Sequence, residues 1–176
     1  MTGSLIDLLV DNRSAVINRW TDLIFDTYPP ESKKFMQSKK NRITNPVGAS
    51  IEEGAHKLFD WLVGGEDADL KEMCGFLDNI VRIRAVQEFS ASRSIGFVFL
   101  LKTAIREVLK AEIRRERLFE DLLVIEGRID ELALLAFDNY SQCRQQLHEI
   151  RLMEVRNRTS RLLERACQKY GMPSEW

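Results

Sequence analysis

Residues 117–170 read RLFEDLLVIEGRIDELALLAFDNYSQCRQQLHEIRLMEVRNRTSRLLERACQKY, with no proline anywhere in the run. Leu118, Leu122, Ile125, Ile129 and Leu132 step by four, three, four and three, which places an apolar stripe on one helix face. Ala136, Cys143, Leu147 and Ile150 extend it. Nothing here stops a helix, so the spacing predicts a single one of about fifty residues, about 75 Å long. A chain of 176 residues forms one domain of ordinary size. The helix outruns such a domain, so its far half projects or packs against another chain. That reading sets the fold class: all-α, a helical bundle with a long C-terminal helix.

The rest of the chain is also helical in period. Leu5, Leu8, Leu9, Val16, Trp20 and Leu23 share a stripe that starts at a Ser4–Asp7 capping box and dies at Tyr28-Pro29-Pro30. A basic, poorly periodic stretch follows to Arg42. Asn45-Pro46 then offers an N-cap followed by a first-turn proline, and Ser50 with Glu53 offers a competing start. The expectation is a short turn and then a helix through Leu58, Phe59 and Leu62, stopped by Gly64-Gly65. The next helix carries Leu70, Met73, Leu77, Ile80 and Val81. Ser90 caps another over residues 91–112, apolar nearly all round between Ile95 and Leu101, which predicts a buried central element. No stretch reads as strand. Residues 1–143 are expected to form the bundle, residues 144–170 the distal docking or output segment, and residues 171–176 a tail.

Composition narrows the function classes. The apolar fraction is 44% and the charged fraction 30%, a globular balance. A net charge of −1 gives no general case for nucleic acid. Charge is uneven, with Lys33, Lys34, Lys39, Lys40 and Arg42 against Glu31, then eight acids against Lys57 and Lys71 from Ile51 to Asp78. Such blocks are solvated faces or docking surfaces for a charged partner. Asp7 and Asp11 interrupt the N-terminal apolar residues, so no signal peptide is read, and the longest uncharged run is too short for a membrane span. Cys74, Cys143 and Cys167 are scattered, which fits a reducing, cytoplasmic compartment.

Catalytic signatures are missing: no phosphate loop, no GxSxG and no HExxH. Glu52 and His56 stand four apart, whereas a di-iron bundle uses Glu-x-x-His twice with two more glutamates. The pair reads as a surface contact. No residue set around His56, His148 or the cysteines suits haem or zinc, so neither cofactor nor metal is expected.

Two polar segments stand out. Asn41–Gly48 puts Arg42, Thr44 and Asn45 at a helix start, where anions are favoured. Val81–Ser90 puts Arg82, Arg84 and Gln87 at the end of an apolar helix. Folded together, Arg42, Asn45, Arg82, Arg84 and Gln87 would make a ligand pocket, or else a buried hydrogen-bond network that fixes a loop.

These segments also carry a resemblance. RITNPVG (residues 42–48), IVRIRAVQEFSAS (80–92), GFVFLLKTAIREVL (96–109), RIDELALLAFDNYSQCR (128–144) and RLLERA (161–166) resemble the N-terminal domain family of RsbRD-type co-antagonists, stressosome signalling proteins of bacteria. The resemblance spans about Leu5 to Ala166. It implies a globin-like helical fold without haem, dimerisation, and a long terminal helix passing a signal to a STAS domain. No STAS domain precedes Trp176, so a separate protein partner is expected. The resulting expectation is a non-catalytic sensory module, a homodimer with Leu118, Leu122, Ile125, Ile129 and Leu132 at the seam and the basic distal end docking a partner. The alternative is an accessory or assembly factor for a larger enzyme complex.

Overall fold

The computed structural model describes residues 4–37, 45–64, 70–86 and 89–170. Among them lie eight α-helices and no strand, so the chain is all-α. Helix α1 spans Leu5–Asp11 and α2 spans Arg13–Phe25. The predicted capping box is present: the Ser4 hydroxyl accepts from the Ile6 amide at 3.1 Å, and the Ser4 amide donates to Asp7 at 3.0 Å. The first stripe is not one helix, however. Asn12 leaves helical geometry, and its side-chain amide donates to the Leu8 carbonyl at 2.9 Å, closing α1 before α2 begins.

Proline does not end order at residue 30. Pro30 opens α3, Pro30–Gln37, because a first-turn proline gives up only an amide that has no partner in the helix. Helix α4, Pro46–Gly64, starts at the Asn45-Pro46 signal and runs unbroken through the competing one at Ser50. Helix α5 covers Leu70–Val86. Helix α6 covers Ala91–Val108, with the Arg93 amide donating to the Ser90 hydroxyl at 3.4 Å. The expected run to residue 112 breaks at Leu109, and a short α7, Lys110–Glu116, follows. Arg117 then turns the chain in the left-handed region (φ 57°, ψ 37°) and α8 runs for 52 residues, Phe119–Tyr170.

The chain divides into two compact units, Met1–Tyr140 and Ser141–Trp176. In the first, α2 packs on α6 and α4 on α5. Trp20, Ile51, Phe59, Leu77, Phe97 and Leu101 are fully buried, and the Trp20 indole donates to the Phe97 carbonyl at 2.8 Å. Helix α8 adds Ile125, Ile129, Leu132, Ala136 and Tyr140 to this core. Helix α6 is not buried all round, since Phe99 faces outward. Between α4 and α5 the backbones come close: a Cβ at Gly54 would lie 2.4 Å from Ile80 Cδ1. Bidentate pairs Arg13–Asp60 and Arg106–Glu126 tie α2 to α4 and α6 to α8. None of the described helices is long and apolar enough to cross a membrane.

Candidate functional site

Arg84 is the feature that plain packing least explains. It stands seven residues after Leu77 and three after Val81, so the apolar face of α5 carries a cation into the core, where it is 0% exposed. One guanidinium nitrogen donates to the Arg93 carbonyl at 2.8 Å and another to the Thr27 hydroxyl at 3.0 Å. The rings of Tyr28, Phe97 and Phe89 lie 5.0, 5.2 and 5.5 Å from its central carbon, an aromatic box that attracts the charge through the ring faces. Nε has no hydrogen-bond partner. Arg93 adds a second cation, 5.1 Å from Phe89, and donates to the Thr27 carbonyl at 3.2 Å.

Burial pulls the Arg84 guanidinium below its ordinary range, although arginine stays charged at neutral pH. Burial pushes the Tyr28 phenol upward, with the Arg84 charge working the other way. The Tyr28 hydroxyl is itself buried without a hydrogen-bond partner. This chamber connects to α8, because Tyr140 donates to the Phe89 carbonyl at 3.0 Å. It joins the corner after α2, the corner between α5 and α6, and the long helix through one cluster.

Of the other nominated residues, Asn45 is also buried, but its partners are different. Its amide donates to the Met36 carbonyl at 2.6 Å and its oxygen accepts from the Gly48 amide at 3.0 Å. The side chain thus locks the end of α3 to the start of α4. A Cβ at Gly48 would collide with this clamp, 2.5 Å from the Asn45 amide nitrogen, so only glycine fits beside it. Arg82, two residues from Arg84 and therefore on another helix face, is exposed and pairs with Asp78 at 3.4 Å. Arg42 and Gln87 lie outside the described residues. The reading of the sequence missed Thr27, Tyr28, Phe89, Arg93 and Tyr140. The apolar stripe of α5 was the available signal for telling Arg84 from Arg82.

The nominated seam behaves differently along its length. Ile125, Ile129 and Leu132 are at most 2% exposed within the protomer, while Leu118 and Leu122 are half-buried. Another row of α8 is open: Leu123, Gly127, Leu134 and Phe137, with Leu123 68%, Leu134 67% and Phe137 46% exposed. A Cβ at Gly127 would meet no atom within 4 Å. In the second unit, Leu152, Val155, Thr159, Leu162 and Ala166 step by three, four, three and four and are all exposed.

Glu52 and His56 line a polar cleft of about 500 Å³ with Asp22 and Gln37, whose amide donates to Asp22 at 3.3 Å. Among the described residues no group of histidine, cysteine and carboxylate side chains is placed to hold a metal. Cys143 is buried and Cys167 half-buried, both as free thiols.

The chain is similar to an uncharacterized protein of Archaeoglobus fulgidus, 26% identical over 147 residues that make up 81% of this chain and 84% of that one. No solved structure matches it at a significant level. The family model described as the RsbT co-antagonist protein rsbRD N-terminal domain matches residues 14–155, taking in the Arg84 chamber, the Asn45 clamp and more than half of α8. With most of its length so matched, the chain belongs to the rsbRD N-terminal domain family.

Proposed function

We propose that this protein is a non-catalytic signalling module, globin-like without haem, that forms a homodimer and passes a signal along α8 to a protein partner. Family membership supports the signalling role. The observation that carries it is the division of labour on α8. One row of that helix, Ile125, Ile129, Leu132 and Ala136, belongs to the core, while Leu123, Leu134 and Phe137 on another row remain open. A structural helix has no use for a second apolar row. Covering such side chains is worth about 1.5 to 3 kcal/mol each when burial is complete. A symmetric pair of α8 helices covers the row with the same row, and two-fold pairing is the commonest self-association. Gly127 in this row allows close approach of the partner helix.

The distal part of α8 is the proposed output segment. Its exposed row from Leu152 to Ala166 offers an apolar strip to a partner. Arg144, Arg151, Arg156, Arg158, Arg161 and Arg165 outnumber Glu149, Glu154 and Glu164, so an acidic partner surface suits it. The buried Arg84 chamber, held to α8 by Tyr140, is the internal element whose state the helix would report. The nominated set Arg42, Asn45, Arg82, Arg84 and Gln87 narrows, for this purpose, to Arg84 with Tyr28 and Phe89. Cysteine cross-linking tests the dimer. In a background with the native cysteines replaced, Leu123→Cys and Leu134→Cys should form disulfide-linked dimers under mild oxidation, and Ile129→Cys should not. Cross-linking at Ile129 alone, or at none of the three, would count against the proposal.

A further inference from the structure

The corner where α6, α7 and α8 meet holds a cleft of about 430 Å³ with two kinds of wall. Ile113, Phe119 and Leu122 supply apolar surface, and Arg106, Lys110 and Arg114 supply cations. Arg106 is committed to Glu126 at 2.6 and 2.7 Å. The cleft's only carboxylate among these described walls, Glu107, is held by Arg19 at 2.6 Å. Lys110 and Arg114 have no ion-pair partner among the described residues. They stand four apart on α7 and so share a face, where like charges repel. An apolar wall beside two uncommitted cations is complementary to an amphiphilic anion, and the volume falls within the range of small-molecule sites. We propose that this cleft binds a medium-chain acyl carboxylate, with the chain against Ile113, Phe119 and Leu122 and the carboxylate between Lys110 and Arg114.

The position gives such binding a consequence. Arg117, between the cationic wall and the helix, adopts a left-handed conformation that disfavours any residue with a Cβ. Lys110, Ile113 and Arg114 precede this corner; Phe119 and Leu122 follow it as the first turn of α8. A ligand that touches both sides fixes the corner, and so favours one setting of α8 over others. This consequence rests on the reading of α8 as the signalling element, but binding does not.

The test is calorimetric titration of the full chain with decanoate, decanol and acetate. Decanoate should bind saturably below about 1 mM, and decanol and acetate at least about tenfold more weakly. Lys110→Gln with Arg114→Gln should weaken decanoate about tenfold or more. Lys110 and Arg114 are exposed, so helical content by circular dichroism should not change. Phe119→Ala should weaken it severalfold. Absence of saturable binding, equal binding of decanol, or unchanged affinity in the double variant would each overturn the inference. Any of these results would leave the dimer proposal standing, since cross-linking at Leu123 and Leu134 tests that independently.

Discussion

Replacing Gly54 with alanine probes the closest helix approach in the core. The new Cβ would lie 2.4 Å from Ile80 Cδ1 and 3.1 Å from Ile80 Cγ1. Ile80 is 1% exposed, so its side chain has no solvent to swing into. Overpacking of this kind costs about 1–3 kcal/mol. Alanine returns about 1 kcal/mol through helix propensity. The expected net loss is about 1 kcal/mol, or about 2–4 °C in melting temperature for a chain of this size. Gly96 is the control. A Cβ there meets nothing within 4 Å, so Gly96→Ala should stabilise by about 0.5–1 kcal/mol. A double-mutant cycle sharpens the case. Ile80→Val deletes Cδ1 and alone costs about 0.5–1.5 kcal/mol, yet in the Gly54→Ala background it should cost nothing or restore stability. Urea unfolding followed by circular dichroism measures all four proteins. Additive effects, or Gly54→Ala stabilising as much as Gly96→Ala, would refute the packing argument.

Other expectations follow from the same contacts. Arg84→Ala leaves a cavity and strips donors from the Thr27 hydroxyl and Arg93 carbonyl, so it should cost about 3 kcal/mol or more in urea unfolding, and Arg84→Met, which keeps the volume, distinctly less. Burial holds the Tyr28 phenol neutral in the folded state, with a pKa raised above the unfolded value of about 10. The folded state therefore binds more protons above that pH, and stability should fall as pH rises through about 10. Tyr28→Phe should show a shallower alkaline loss in pH-dependent melting, and an identical loss would contradict the assignment. Arg106→Ala leaves the Glu126 carboxylate, 7% exposed, without its bidentate partner, and should cost about 1–3 kcal/mol, part of which Glu126→Gln should recover in the double variant.

The elements legible in the sequence were those with local signals. Ser4, Asn45-Pro46 and Ser90 marked helix starts because capping is decided by a few adjacent atoms. The absence of proline from residue 117 to residue 170 announced α8. The breaks at Asn12 and Leu109 were not legible, since each keeps helical periodicity on both sides. Helix α3 was missed because its short, basic sequence buries only Met36 among its apolar residues. The stripe from Ile125 to Leu132 marks a face that must be covered, but periodicity does not say whether the cover is the same chain or another. Here the chain covers it itself, and the open row contains Gly127 within it, which weakened its pattern. At the candidate site, Arg84 lay on the buried stripe of α5 and Arg82 off it, a distinction visible in the spacing. The rings around Arg84 come from the turn after α2, from α6 and from Phe89 just before α6, so their convergence required the fold.

Light scattering coupled to size exclusion, on the wild-type chain and on Leu134→Glu with Phe137→Glu, tests the central claim most directly. The exposed row of α8 as a self-pairing surface predicts twice the 20.4 kDa chain mass for the wild type at tens of micromolar. It predicts a single chain mass for the double variant, with helical content unchanged because both positions lie outside the core. A wild-type protein of 20.4 kDa, or a dimer that survives both charges, would contradict it.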